Sequence, residues 1–292
     1  MPMDLDALAD ASHDHTLRLR DGRVLGYAEY GDPAGTPWFF HHGGGDCRRL
    51  IALVSDAAAK SGVRVIAPDR WGISLSDPRP NGTLLDWPDD MLELADALGI
   101  ETFVVCGGGI GAAFALACAY KMPAERLTAT VVTELVSPGL PGYVPRALVW
   151  VPQYAPWIVA QVLKLRVRSL ERSPDKNWQR RLDKAQAGTR ALYEQPGMQK
   201  FWQDMQLEAY RRGTQGVARE FMLAARPWGF ALRDVHAQVH LWQPENDKPA
   251  ADAARTVTSQ LPACNATFVP DADRLWTFSH AEEIFASMQA AS

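Results

Sequence analysis

The stretch Val104-Val-Cys-Gly-Gly-Gly-Ile-Gly111, running directly into Ala112-Ala-Phe-Ala-Leu-Ala-Cys-Ala-Tyr-Lys121, decides the fold. Its first residues form the short apolar run expected of a strand buried on both faces, and its last are rich in alanine, the best helix former. Between them lie four glycines and no spacer. Glycine is the residue that turns a chain through a left-handed conformation without strain, so the reading is a strand, a sharp turn and a helix.

Outward from this unit, further apolar runs at 38–41, 63–68, 102–106, 127–133, 239–243 and 266–270 read as strands. Helical stretches separate them. Residues 48–60 end at Gly62, residues 84–98 follow a Thr83-Leu-Leu-Asp86 capping signal and end at Gly99, and 111–121 is the alanine-rich segment. This alternation is the rhythm of a parallel sheet with crossover helices. Before it, residues 16–30 alternate around Asp21-Gly22, which predicts an antiparallel hairpin. From 138 to 230 strand character fades, and amphipathic pieces at 158–169, 177–193 and 198–211 are punctuated by Pro145, Pro152, Pro156, Pro174 and Pro196. The expectation is a helical lid at 138–230 inserted into a core made of 1–137 and 231–292. Trp150, Trp157, Trp178, Trp202 and Trp228 lie in it, and Trp150 in particular is expected to shape a pocket for an apolar ligand.

At 292 residues the chain has room for one large core with an insertion. With 47% hydrophobic and 22% charged residues it has the composition of a soluble globular protein, which excludes collagen-like and wholly disordered classes. A net charge of −4 argues against a nucleic-acid partner. Cys47, Cys106, Cys118 and Cys264 are widely spaced with no CxxC pair, so neither a disulfide framework nor a metal site is expected, and a reducing cytoplasm fits. The first residues lack the pattern of a signal peptide, and the apolar stretch 148–163 is interrupted by Pro152 and Pro156, so no membrane association is expected. The run Gly107-Gly-Gly109 is not a phosphate-binding fingerprint, and no cofactor is implied.

Three motifs occur in order: Phe39-Phe-His-His-Gly-Gly-Gly-Asp46, Ala67-Pro-Asp-Arg-Trp-Gly-Ile-Ser-Leu-Ser-Asp77 and the strand-turn-helix unit at 104–111. Together they resemble the α/β-hydrolase superfamily, and with Arg226-Pro-Trp-Gly-Phe230 they look like actinobacterial α/β-hydrolases that include methylesterases of aromatic polyketides. The resemblance spans roughly 17–288. It implies an α/β-hydrolase fold: a mostly parallel eight-stranded sheet, flanking helices and the inserted lid.

The same resemblance locates the site and shows departures from the family pattern. The family's G-x-S-x-G is here Gly107-Gly-Gly-Ile-Gly111, which puts Gly109 where the nucleophilic serine stands. The haloalkane dehalogenase mechanism, which needs an aspartate there, is excluded as well. Arg274 in Pro270-Asp-Ala-Asp-Arg-Leu-Trp276 takes the place of the histidine base, and arginine stays protonated near neutral pH. His280 further on is expected to be a surface or capping residue. Asp247 in Gln243-Pro-Glu-Asn-Asp247 matches the acid position, and is expected to pair with Arg274 or to aim it at an anion. Glu134 ends the strand after the elbow helix, where haloalkane dehalogenases carry a catalytic acid. It is the first choice for an acid/base group, because an apolar site raises a carboxyl pKa.

His41-His-Gly-Gly-Gly45 stands for the family's H-G-x-P-G, with a more flexible oxyanion loop expected. The amides of Gly43 and Ile110 are the expected anion donors. His41 is expected to organise the loop at the pocket, and His42 to assist proton transfer. Asp69 and Arg70 match a bracing motif, and Trp71, Gly108 and Trp276 are expected to line the pocket. Cys47 past the loop is the weakest nucleophile candidate, and Cys106 belongs to the strand core.

These residues lead to an expected function. The chain would be a cofactor-independent, non-hydrolytic enzyme of natural-product metabolism, catalysing a proton-transfer-driven cyclisation, elimination or rearrangement of a small apolar, aromatic polyketide-like substrate. Two alternatives stand beside it: a ligand- or partner-binding pseudoenzyme, and a hydrolase that activates water with a carboxylate, as in epoxide opening. A homodimer is compatible with either.

Overall fold

Neighbouring residues of the central strands point to opposite sides of the sheet. Phe39, Phe103, Val105 and Val132 enter one apolar cluster, whereas Trp38, Phe40, Val104, Cys106 and Val131 enter another. This is the two-residue period of strands covered on both faces, and it explains why they read as unbroken apolar runs.

The computed structural model describes residues 11–135, 150–151 and 154–289. Its sheet contains β1 (Asp14–Arg18), β2 (Val24–Gly31), β3 (Thr36–His41), β4 (Val63–Pro68), β5 (Phe103–Gly109), β6 (Leu127–Leu135), β7 (Val239–Pro244) and β8 (Cys264–Val269), in the order β1-β2-β4-β3-β5-β6-β7-β8. The β1/β2 and β2/β4 pairs are antiparallel and the remaining pairs parallel. The eight-stranded, mostly parallel sheet is therefore as expected. The hairpin at Asp21-Gly22 is present, but its connection is longer than a tight turn: pairing stops at Arg18 and Val24, and Gly22 closes the loop by donating to the Leu19 carbonyl at 2.8 Å.

The helices on the sheet are α1 (Ser55–Lys60), α2 (Trp87–Ala97) and α3 (Gly111–Lys121). The capping signal before α2 is realised: Asp86 Oδ2 accepts from the Thr83 amide at 2.7 Å, and a single 3-10 turn at Leu84–Asp86 leads into the helix. Between β6 and β7 come α4 (Pro156–Arg172), α5 (Pro174–Lys184), α6 (Ala187–Tyr193), α7 (Met198–Ala209) and α8 (Gln215–Ala225). Amphipathic 177–193 is split between α5 and α6, because Ala185 is extended. The start of the expected insertion at 138, with Pro145 and Pro152, lies outside the described residues. After β7 come α9 (Lys248–Thr258), α10 (Trp276–Ser279) and α11 (Ala281–Gln289). Among the described residues, no helix is long and apolar enough to cross a membrane.

Candidate active site

The centre of the site is the turn between β5 and α3. Gly109 has φ +59°, and α3 starts two residues later. Its glycines serve different ends. A Cβ on Gly107 would stand 2.4 Å from the Gly111 carbonyl oxygen, and one on Gly111 would stand 2.2 Å from that of His41, so both positions exclude any side chain. At Gly109 the nearest atom to such a Cβ is the Gly43 Cα at 3.6 Å, an ordinary contact. The position expected to carry a nucleophile thus has room for a side chain and has none.

Facing this turn is the glycine loop after β3. Arg70 braces it from below: Nη1 donates to the His42 carbonyl at 2.6 Å and Nη2 to the Gly43 carbonyl at 2.8 Å. Glu220, from α8, completes the brace by accepting from the Gly45 amide at 2.6 Å and from Arg70 Nε and Nη2 at 2.9 and 2.6 Å. The loop expected to be loose is therefore held by a buried ion pair. The amides of Gly43 and Ile110 have no acceptor among the described residues and stand beside a cavity of about 1130 Å³.

Of the four carboxyls on the wall of that cavity, Glu134 and Asp46 stand beside the elbow and the glycine loop. Glu134 sits in a bulge of β6: Gly108 pairs with Thr133 and Gly109 with Leu135, so Glu134 is left over between them, with φ +51°. A non-glycine residue in this region costs on the order of 1–3 kcal/mol and is concentrated at functional sites. Burial pushes the Glu134 carboxyl well above the usual carboxylate range, outweighing the Arg274 cation and a hydrogen bond from Thr277 Oγ1 to Oε1 at 3.4 Å. Asp46 closes the glycine loop, with Oδ2 2.7 Å from where a Gly43 Cβ would stand. Burial raises its pKa too, against the pull of Arg181, Arg166, Arg70 and Arg274.

The cavity brings together Gly43, Gly108, Gly109, Ile110, Glu134, Asp247 and Arg274. Asp247 caps α9, its Oδ1 accepting from the Ala250 amide at 3.3 Å. No ion pair with Arg274 exists among the described residues, so the expected pairing is not formed, and Arg274 is exposed to the cavity. Six other expected residues lie elsewhere. The His41 ring is buried edge-on against Trp87 at 5.7 Å, with both nitrogens unpartnered and its pKa pushed down to about 3 by burial. His42 is buried, with Nδ1 3.0 Å from Arg70 Nη2. Nδ1 also lies 2.9 Å from the Gly43 carbonyl oxygen, so this nitrogen is engaged by the loop brace in either tautomer, and burial holds the ring well below its ordinary pKa. That geometry does not suit the proton-transfer role expected of it. Trp71 is buried beneath the site, its Nε1 donating to Asp90 Oδ2 at 2.7 Å. Trp150 is 57% exposed, and Trp276 is stacked between Trp242 and His280. Cys47 is a buried thiol donating to the Met205 carbonyl, its pKa raised well above normal.

Of the tryptophans expected in the inserted segment, Trp178 and Trp202 line the cavity, whereas Asp46, Asp273 and Arg181, which also line it, were missed from the sequence. Asp273, beside Arg274, accepts from the Thr189 amide at 2.7 Å and so ties this loop to the start of α6. For Asp46 a signal existed, since a carboxylate directly after three glycines must lie next to the loop's amides.

A parallel sheet with a glycine elbow, an amide-lined loop opposite and helices over the strand ends defines an α/β fold with its pocket at the carboxyl ends of the strands. The chain belongs to the alpha/beta hydrolase family, which it matches over residues 38–287. No curated protein matches it by sequence. Among solved structures it is similar to a hydrolase from Pseudomonas aeruginosa, at 16% identity and TM-score 0.68, covering 96% of this chain and 98% of that one. It is also similar to a thermophilic esterase from Thermogutta terrifontis, at 19% identity and TM-score 0.66, covering 95% and 97%. An epoxide hydrolase from Vigna radiata is similar at 16% identity and TM-score 0.64, covering 97% and 99%. At such identities the likeness is one of fold.

Proposed function

We propose that this chain is a cofactor-independent enzyme that uses the hydrolase pocket for proton transfer rather than covalent catalysis. In this reading the triad is degenerate: Gly109 replaces the serine and Arg274 the histidine, as in a relative of polyketide methylesterases that has left ester chemistry, and residues 138–230 cap the pocket of a cytosolic protein. Glu134 takes a proton from carbon beside a carbonyl, and the resulting enolate is held by the Gly43 and Ile110 amides and by Arg274. The carboxylic acid so formed returns the proton elsewhere on the substrate, which completes a cyclisation, elimination or rearrangement. The observation that carries this reading is the juxtaposition of an empty elbow at Gly109 with Glu134 in a left-handed bulge on the adjoining strand.

The test pairs two measurements on wild type, Gly109→Ser and Glu134→Gln. Activated short-chain and aryl esters should not be hydrolysed above background, and deuterium exchange at the α-carbons of 2-tetralone in heavy water should be accelerated by wild type and lost in Glu134→Gln. Ester turnover by wild type that survives Glu134→Gln overturns the proposal. A second reading, opening of an epoxide by water, is supported by the Asp247 carboxylate at the same cavity. A diol carrying solvent oxygen would select it.

A further inference from the structure

The lid contributes four cations to the cavity wall: Arg166 on α4, and Arg180, Arg181 and Lys184 on α5. None of them forms an ion pair among the described residues. The chain as a whole is acidic, so this concentration of positive charge is local. Arg181 is the one held in place. Its Nη1 donates to the Tyr193 hydroxyl at 3.0 Å, and its guanidinium lies over the Trp202 ring at 4.6 Å and the Tyr193 ring at 5.5 Å. An arginine fixed by an aromatic face and a hydroxyl has lost most of its side-chain freedom before any ligand arrives, and its remaining N–H groups are left to donate.

Trp202 supplies an independent indication. It lines the cavity at 5% exposure, and its indole N–H is buried with no acceptor among the described residues. A buried donor without an acceptor carries a desolvation penalty that a ligand oxygen at this point would remove. Of the four carboxyls on the cavity wall, Asp46, Glu134, Asp247 and Asp273, none forms an ion pair with these cations among the described residues.

We infer that the lid end of the cavity is a binding site for an oxyanion carried by the substrate, in the simplest case a carboxylate, with Arg181 and the Trp202 indole as its fixed donors and Arg166, Arg180 and Lys184 as the surrounding field. The inference rests on the reading of this cavity as the substrate site. It gives the substrate a polarity: an anionic tail at α5 and a reacting carbon at Glu134 and the elbow. A wholly apolar substrate would leave this wall without a partner.

The experiment uses two fluorescent probes with one aromatic skeleton, 8-anilinonaphthalene-1-sulfonate and the neutral N-phenyl-1-naphthylamine. They are titrated into wild type, Arg181→Gln, Arg181→Lys and the exposed double variant Arg180→Gln/Lys184→Gln. Wild type should bind the sulfonate at least about tenfold tighter than the neutral probe, since hydrogen bonds to a charged group contribute roughly 1.5–3 kcal/mol. Arg181→Gln and the double variant should lose most of that preference while binding the neutral probe as before, and Arg181→Lys should keep part of it. Equal affinity for both probes in wild type overturns the inference, as does a preference that the double variant retains in full. The readout is binding and not turnover, so its failure leaves the proton-transfer reading standing, and loss of that reading leaves this one intact.

Discussion

Arg70 and Glu220 form a buried ion pair, with Nη2 donating to Oε2 at 2.6 Å and both side chains at most 3% exposed. The pair joins the segment after β4 to α8, and both partners also hold the glycine loop, so the loop and α8 share one anchor. Removing one member of a buried pair leaves an uncompensated charge and typically costs about 3–5 kcal/mol. Glu220→Gln should therefore lower the free energy of unfolding by several kcal/mol in a denaturant titration. The double variant Arg70→Met/Glu220→Leu should recover only part of this, because the Gly45 amide and the His42 and Gly43 carbonyls would still lack their partners.

The elbow glycines should respond to substitution in opposite ways. Gly109→Ser meets no close contact, and the left-handed backbone costs a non-glycine residue roughly 1–2 kcal/mol. It should fold with a modest loss of melting temperature and remain silent toward activated esters, since no histidine stands by to activate the new hydroxyl. Gly107→Ala and Gly111→Ala drive a methyl into backbone oxygens at 2.4 and 2.2 Å and should fail to give a cooperatively folded protein. Parallel thermal melts of the three variants check this.

The same contrast explains what was legible in the sequence. The strand-turn-helix unit, the Thr83–Asp86 cap and the alternating runs are local signals, and each reappears as an element: α3 occupies Gly111–Lys121, the stretch read as helical. Glu134 at the end of β6 was legible through the resemblance to haloalkane dehalogenases, which carry an acid at this strand end, and it does line the cavity. The histidines were not. Their ring directions depend on how β3 leaves the sheet, and His42 is held by contacts of Nδ1 to the Gly43 carbonyl and to Arg70, a residue distant in sequence. Trp71 was placed wrongly for a similar reason, its indole being drawn inward by Asp90 on α2. The cations of α4 and α5 remained hidden because exposed basic residues on amphipathic helices read as solvated faces until the cavity beside them is known.

Cysteine chemistry offers a separate check on the site. Among the described residues all four cysteines are free thiols; Cys47, Cys106 and Cys118 are buried, with their thiol pKa values raised by burial, and the partly buried Cys264 is pushed up to about 11. A thiol reagent at pH 8 should label native protein slowly at Cys264 and leave the other three untouched, with all four reacting after unfolding in denaturant. Rapid labelling of Cys47 in the folded state would return it to the list of possible nucleophiles.

The last prediction follows from Glu134. Its folded-state pKa lies above the value it has in the unfolded chain, chiefly through desolvation, so the native state holds this proton more tightly. The sign is then fixed: between the two pKa values the folded protein binds more protons than the unfolded one, and stability falls as pH rises from about 4.5 through the native pKa. Glu134→Gln keeps the shape and removes the ionisation. Its unfolding free energy should match that of wild type at low pH and exceed it increasingly as pH rises, while exchange activity disappears. Denaturant midpoints measured from pH 4 to pH 9 on both proteins test this. Curves that stay parallel would mean that Glu134 is as well solvated in the folded state as in the unfolded chain, and would remove the physical basis for its acid/base role.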